Sequence, residues 1–265
     1  MVQPYYTVEA PDAAMARGGL LNAVTPDESA GDRVGAGVQH MSSVACGTAS
    51  PAPGVCNDAL ELEENESGLQ KEFDGIDWEN ALPFGIYKGI VCDMSQDYTQ
   101  LATEGLLRGE GVAVEEAFQS LILNKAGTEV LGGGAKSVVE AVALLEQHAA
   151  EVYGALPMLH ASRYGATHLG AEDVVKADSN WMLHTIQGTP TVNGGGYTET
   201  GPGAVGATAG QFWLYATGAV HIWRSGVIAS ESTDTAKGGN YALAERLYAV
   251  TRECFTAAVL VDTTA

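Results

Sequence analysis

The sequence predicts an α+β protein on three observations. A strand-like segment, Pro83-Phe84-Gly85-Ile86-Tyr87-Lys88-Gly89-Ile90-Val91-Cys92, leads into a long stretch of helical spacing from Gln96 to Asn124. A second helical pattern spans about Ala135 to Tyr153. From Gln211 the texture turns to strands, with Phe212-Trp213-Leu214-Tyr215-Ala216-Thr217 followed by Val220-His221-Ile222-Trp223-Arg224.

In chain order, residues 1–35 are rich in Ala, Gly, Pro, Asp and Glu and lack apolar periodicity. Such a segment buries too little to fold alone, so it reads as an extended arm that needs a partner surface. Val34, Val38, Met41 and Val44 suggest a strand within Arg33 to Ala45. A Pro/Gly-rich loop separates Cys46 from Cys56, and an acidic run from Asp58 to Glu79 holds nine carboxylates against the single Lys71. That run reads as a solvated face or loop, with Trp78 and Phe84 expected where the chain re-enters the core.

The long helix takes its apolar face from Tyr98, Leu101, Ala102, Val114, Ala117, Phe118, Leu121 and Ile122. Asp93, Ser95 and Asp97 are cap candidates, and Glu104 with Arg108 forms an i,i+4 pair. Gly105, Gly109 and Gly111 each cost roughly 1 kcal/mol against alanine, so the pattern predicts one long helix or two co-linear halves bent near Gly109. A glycine-rich turn, Gly127 to Gly134, precedes the second helix, whose face is Val138, Val139, Val142, Leu145, Ala149 and Val152 with Gly154 as its stop. A buried strand over Leu156 to His160 and a short helix over Gly170 to Ala177 follow, with Glu172 and Asp173 at the positive end of that helix. Met182 to Ile186, Gly188 to Val192 and the turn Asn193-Gly-Gly-Gly-Tyr197 come next, then loops at Gly201 to Gly210 and 231–240. Tyr241 to Val261 accepts either helix or strand.

The balance of 13 basic and 33 acidic residues, a net charge of −20, excludes a module that grips nucleic acid through its phosphates. Hydrophobic content of 46% and charged content of 17% are those of a folded chain. Four cysteines are too few for a disulfide scaffold; without a secretory signal they are expected to be reduced in a cytoplasm, although Cys46 and Cys56 would close their loop if paired. No apolar run reaches membrane-spanning length.

Motif chemistry is mostly absent. Gly201-Pro-Gly-Ala-Val-Gly206 has the letters of a dinucleotide loop, but it lies between a glycine turn and a Trp/Tyr strand, and Pro202 removes a phosphate-binding amide. Gly132-Gly-Gly-Ala-Lys136-Ser137 fails Walker spacing at Val130 and Ala135. Among six histidines, His160 and His168 with Glu172 and Asp173 are the best candidates for a metal or acid–base cluster, and a structural role is the expected one. Trp213, Tyr215 and Trp223 read as core aromatics rather than stacking platforms. No catalytic, cofactor-binding or metal-ligating residue is assigned, and no cofactor is expected.

The order of these features resembles the major capsid (head) proteins of tailed phages with the Hong Kong 97-type fold, closest in character to those of actinobacterial phages. The resemblance is carried by Pro83 to Cys92 and the following helix with Glu115-Glu116; by Glu140 to Tyr153, Leu159-His160-Ala-Ser and Thr185 to Tyr197; and by Tyr215 to His221 with Asn240 to Val261. It implies an N-terminal arm at 1–40 and an extended E-loop at 41–80. It further implies a peripheral domain with a spine helix at 81–130 and 211–265, and an axial domain at 131–210. The implied function is self-assembly into hexamers and pentamers of an icosahedral head enclosing double-stranded DNA, assembled in the bacterial host cytoplasm, without enzymatic activity. Portal, scaffolding and decoration proteins are the implied partners besides the chain itself, with no membrane; scaffolding would be a separate protein or a removed leader. Some members cross-link through a Lys–Asn isopeptide bond, for which Lys71 and Asn240 are conceivable, but no local motif identifies them and no cross-link is predicted. The alternatives left open are an encapsulin-like shell, another phage head or tail structural protein, and an acidic cytosolic α/β enzyme with a site near His160 and His168.

Overall fold

A computed structural model describes residues 17–41, 46–47, 78–92, 98–234 and 239–264. The acidic run up to 77, Cys56, Lys71 and the helix-cap candidates Asp93, Ser95 and Asp97 lie outside the described residues. The first elements are a one-turn helix α1 (Leu20–Ala23), a three-ten turn (Gly31–Ala36), β1 (Val38–Met41), β2 (Trp78–Cys92) and the long helix α2 (Tyr98–Phe118), which runs on through a π turn (Gln119–Leu123). Next come β3 (Glu129–Val130), α3 (Val138–Val152), β4 (Met158–Ser162), α4 (Arg163–Ala171), β5 (Val175–Ala177), β6 (Leu183–Thr185) and β7 (Pro190–Gly194). The chain closes with β8 (Gln211–Thr217), β9 (Val220–Arg224), β10 (Ile228–Asp234), β11 (Gly239–Arg252) and β12 (Thr256–Asp262).

Two sheets organise these elements. The first has the order β1-β2-β11-β10, with β9 also paired to β11; every pairing in it is antiparallel. The second has the order β3-β12-β8-β4-β7-β6-β5, in which β4–β7 and β3–β12 are parallel. Helix α2 covers one face of the first sheet, where Ala102, Leu106, Val114 and Phe118 pack in one core with Ile86, Ala244 and Tyr248. Helix α3 covers the second sheet, with Ala141, Leu145 and Ala149 in one core with Leu159, Leu214 and Val259.

Strands β8 and β12 join the two cores. Trp213 and Tyr215 of β8 enter the core under α2, while Phe212, Leu214 and Ala216 enter the core under α3. In β12, Ala258 and Leu260 face the first core, and Ala257, Val259 and Val261 the second. Both strands are therefore buried on both faces, which is why their sequence is continuously apolar rather than alternating.

Several expectations are corrected. Of the two forms expected for helix α2, the single long helix is the one present, continuous through Gly109, and its deviation is the π turn near its end. The short helix lies at Arg163–Ala171, not Gly170–Ala177, because Ser162 Oγ caps it by accepting the Gly165 amide at 3.1 Å. Glu172 and Asp173 thus follow its C-terminal end, and Asp173 ends it at φ +58°. Of the segment read as a polar loop, residues 231–234 belong to β10 and 239–240 to β11, while 235–238 lie outside the described residues. The ambiguous final stretch is strand throughout β11 and β12. Helix α3 leaves through an extended Tyr153 rather than a left-handed Gly154, and Val139 and Leu156 are exposed instead of buried. Trp78 is exposed too, whereas Phe84 stacks on Tyr248 at 5.8 Å.

The cysteine expectation also changes. Cys46 forms a disulfide with Cys254, 208 residues away, and not with Cys56. Spacing along the chain cannot show this pairing, because it depends on the β11–β12 turn returning beside the chain at residue 46.

Candidate assembly surface and the junction beneath it

The side chains that hold the molecule's parts together lie along α2. Glu115 is 3% exposed, yet its carboxylate has two amide partners: Oε1 accepts from Leu20 and Oε2 from Gly196, each at 2.9 Å. One turn on, Gln119 donates from Nε2 to the Thr198 and Thr200 carbonyls, both at 3.0 Å, and accepts the Thr198 amide at 2.7 Å. Tyr215 Oη donates to Asn124 at 2.8 Å, and Asn124 donates in turn to the Thr200 carbonyl at 2.9 Å. Helix α2 thereby substitutes for a strand, satisfying the backbone of the turn after β7 and the start of α1.

Close approach makes glycine necessary here. A Cβ on Gly196 would sit 2.2 Å from the Val112 carbonyl oxygen, and one on Gly194 would sit 2.1 Å from the Glu115 carboxyl. The run Asn193-Gly-Gly-Gly-Tyr197 is therefore the contact surface for α2 rather than only a turn. Burial pushes the Glu115 carboxyl above the ordinary range, against the amides of Gly196 and Leu20 and the charge of Arg163, which pull it down. Further along, Glu110 receives Arg246 Nη1 and Tyr248 Oη, each at 2.9 Å, and Arg224 also bonds Glu28 at 2.7 Å.

Among the described residues, the other face of the first sheet is covered at one end only. There Val34 of the three-ten turn, fully buried, packs with Ala81 and Ala249. Beyond that end, cross-strand neighbours share the open face: Ile228 lies opposite Glu245 and Glu245 opposite Tyr87, while Tyr241 lies opposite Val91. Tyr87 is 73% exposed, Val91 72% and Ile228 50%. Isolated exposed hydrophobics are ordinary, but several on one sheet face make that face a candidate contact surface.

No family model matches the chain, and no curated protein matches it. Solved structures do. A chain from the capsid of the native GTA particle superimposes with a TM-score of 0.58 at 12% identity, covering 100% of this chain and 96% of that one. For the capsid of Ralstonia phage GP4 the TM-score is 0.56 at 9% identity, with 98% and 95% covered. For Mycobacterium phage Che8 it is 0.54 at 11%, with 100% and 98% covered. The chain has the Hong Kong 97-type fold.

Within this Hong Kong 97-type fold the residues of the enzyme alternative are dispersed. His160 is fully buried in β4, its ring nitrogens 3.1 Å from Tyr197 Oη and 2.9 Å from Thr217 Oγ1. Burial drops its pKa to about 3, so it is a neutral core side chain. His168 instead packs its ring between Tyr164 and Phe212, and Glu172 and Asp173 join neither histidine in a cluster. Among the described residues no group of three or more His, Cys, Asp or Glu side chains is arranged to hold a metal ion. Trp213 and Tyr215 are core, and Trp223 is half-buried beside Val34. Lys136 pairs with Glu140 at 2.8 Å, and Asn240 is the second residue of β11, opposite Cys92. The 201–206 segment is a loop containing a three-ten turn, as its flanks predict. Sequence reading missed Glu115 and Gln119 as junction residues; two polar residues four apart, beside Val114 and Phe118 on a buried face, were the available signal.

Proposed function

We propose that the chain is a major capsid protein, the repeating subunit of an icosahedral phage head built from hexamers and pentamers and enclosing double-stranded DNA without catalysis. The observation that carries this reading is the half-covered first sheet. One face is filled by α2, while Tyr87, Val91 and Ile228 stand on the other with no cover from the described residues. A neighbouring copy laid on that face would bury them. The likeness in fold to chains of phage capsids, over nearly their whole length, supports the same reading.

In this reading residues 1–40 form the arm and 41–80 the E-loop, each reaching a neighbouring subunit. The peripheral domain is drawn from 81–130 and 211–265 and the axial domain from 131–210; β8 and β12 of the former pair in one sheet with β4 to β7 of the latter. A net charge of −20 suits a wall that must not grip packaged DNA. The product belongs to the virion and is assembled in the bacterial host cytoplasm, with portal, scaffolding and decoration proteins as further partners.

Sedimentation of the purified chain tests the interface. Wild type should sediment as capsomers or larger particles, and Tyr87→Glu/Val91→Glu as a folded chain with unchanged circular dichroism. Assembly unaltered in the double variant would refute the role given to this face. Nucleic acid inside particles isolated from infected cells marks a genome head; packaged enzyme would instead mark a cargo compartment.

A further inference from the structure

The disulfide joins two segments far apart in the chain. Cys254 sits at φ +56° in the turn between β11 and β12, inside a bonded knot. Tyr153 Oη donates to Glu253 Oε2 at 2.8 Å and accepts the Ala219 amide at 3.2 Å; the Glu253 amide returns to the Ala219 carbonyl at 2.8 Å. The Glu253 carboxylate also meets His221 Nε2 at 3.0 Å, and the Tyr153 and Phe255 rings lie 5.9 Å apart. On the other side, Cys46 and Gly47 bridge to Tyr153, with the Gly47 amide donating to the Val152 carbonyl at 3.0 Å. Both cysteines are half-buried, so a small reagent can reach the sulfurs.

We propose that Cys46–Cys254 is a redox-set staple, open in a reducing compartment and closed after folding, which fixes the chain at residues 46–47 to the second sheet. Three features support it. The partners are 208 residues apart, so their encounter in an unfolded chain carries a large loop-closure cost, and the folded β11–β12 turn removes it. The Cys254 side is immobilised by Tyr153, Glu253 and Ala219, which presents a fixed sulfur. The Cys46 side is held, among the described contacts, by its backbone bridges to Tyr153 and the Gly47–Val152 hydrogen bond, to which the disulfide adds a covalent tie.

Closure proceeds by thiol–disulfide exchange with a low-molecular-weight disulfide. The Cys46 thiolate attacks one sulfur of that reagent and expels a small thiolate. The Cys254 thiolate then attacks the Cys46 sulfur of the mixed disulfide and expels the second. Two protein thiols are oxidised, one small disulfide is reduced to two thiols, and the two protons released from the protein pass to them. Reducing compartments hold the staple open. The staple is a property of the single chain and stands whether or not the chain builds a shell.

The test uses the full-length chain treated with oxidised glutathione or with a phosphine reductant, then mapped by mass spectrometry. Oxidation should produce a peptide linking Cys46 to Cys254, with Cys56 and Cys92 free. Hydrogen exchange on the same samples should show amides at 46–47 exchanging about tenfold or more faster after reduction, while those at 219 and 253–255 change little. Cys46→Ser/Cys254→Ser should match reduced wild type and ignore the oxidant. Reduction of wild type supplies the same comparison should that variant fold poorly. A Cys46–Cys56 link, a link between chains, no link under oxidation, or a link that leaves exchange at 46–47 unchanged would each overturn the proposal.

Discussion

The carboxylate of Glu115 accepts the backbone amide of Leu20 across 95 residues of sequence, at 2.9 Å and out of solvent. That bond ties the first described segment of the chain to its longest helix. Because Oε2 of the same carboxylate holds Gly196, one side chain joins three distant segments. Arg163 reinforces the joint from α4, donating to the Arg17 carbonyl at 3.1 Å. Leu20 itself is fully buried in the core under α2, so residues from 17 onward find part of their surface within their own chain.

Truncating Glu115 should be costly. Glu115→Ala leaves the amides of Leu20 and Gly196 buried without acceptors, at about 1–3 kcal/mol each. We expect a loss of about 2–5 kcal/mol in urea unfolding of the dissociated chain, with Glu115→Gln losing less because one acceptor oxygen remains.

Two buried groups should give opposite pH slopes. The native Glu115 pKa lies above the ordinary 4.5, so the folded state holds this proton more tightly than the unfolded one. Its contribution therefore falls as pH rises from about 4.5 through the raised native value and then levels off. His160 is depressed from 6.5 to about 3, so stability is lost as pH falls below 6.5, by at most about 1.4 kcal/mol per unit. Unfolding midpoints between pH 4 and 8 check both signs, wild type against Glu115→Gln and against His160→Gln. Each difference should carry the slope of the group removed.

Glycines in the same molecule should respond in opposite directions. Gly196→Ala forces a methyl group against the Val112 carbonyl and should cost about 3 kcal/mol. Gly109, exposed in the middle of α2, has nothing within 4 Å of its would-be Cβ. Gly109→Ala should stabilise the chain by about 0.5–1 kcal/mol. Thermal midpoints of the two variants provide the comparison.

The Glu110 cluster should be sensitive to the removal of one partner. Glu110→Ala leaves Arg246, 9% exposed, without its carboxylate and should cost about 3 kcal/mol or more. Tyr248→Phe removes a neutral hydroxyl that donates to Glu110 and also meets Arg224 and Arg246, strands no buried charge, and should cost about 1–2 kcal/mol. Chemical denaturation of both variants separates these cases.

Much of this architecture was legible where one face of an element is buried and the other is not. Helix α2, helix α3 and strand β2 show their periods because water lies on one side. Strand β11 was ambiguous because Ala242, Ala244 and Leu247 suit a helix as well as a strand, and only pairing with β2 and β10 decides between them. Helix α4 was displaced because Gly165, which looks like a helix breaker, is required against Phe212, where a Cβ would lie 2.6 Å from the ring. The junction at Glu115 and Gln119 was hidden for a different reason. Their partners are mostly backbone amides and carbonyls, which any residue supplies, so nothing in the residue types of 17–20 or 193–200 announces them beyond the glycines. The disulfide was invisible to spacing because its partners meet only through tertiary structure.

The most direct test of the shell reading is negative-stain microscopy of the purified full-length chain, alongside a chain lacking residues 1–16. That deletion spares Leu20 and Val34, which the core requires, whereas removing residues 1–40 would confound assembly with folding. The account predicts closed shells or capsomer rings for the full chain, and their loss or malformation in the truncated one. A monodisperse monomer or small compact oligomer from the full chain, under conditions where it is folded, would contradict it.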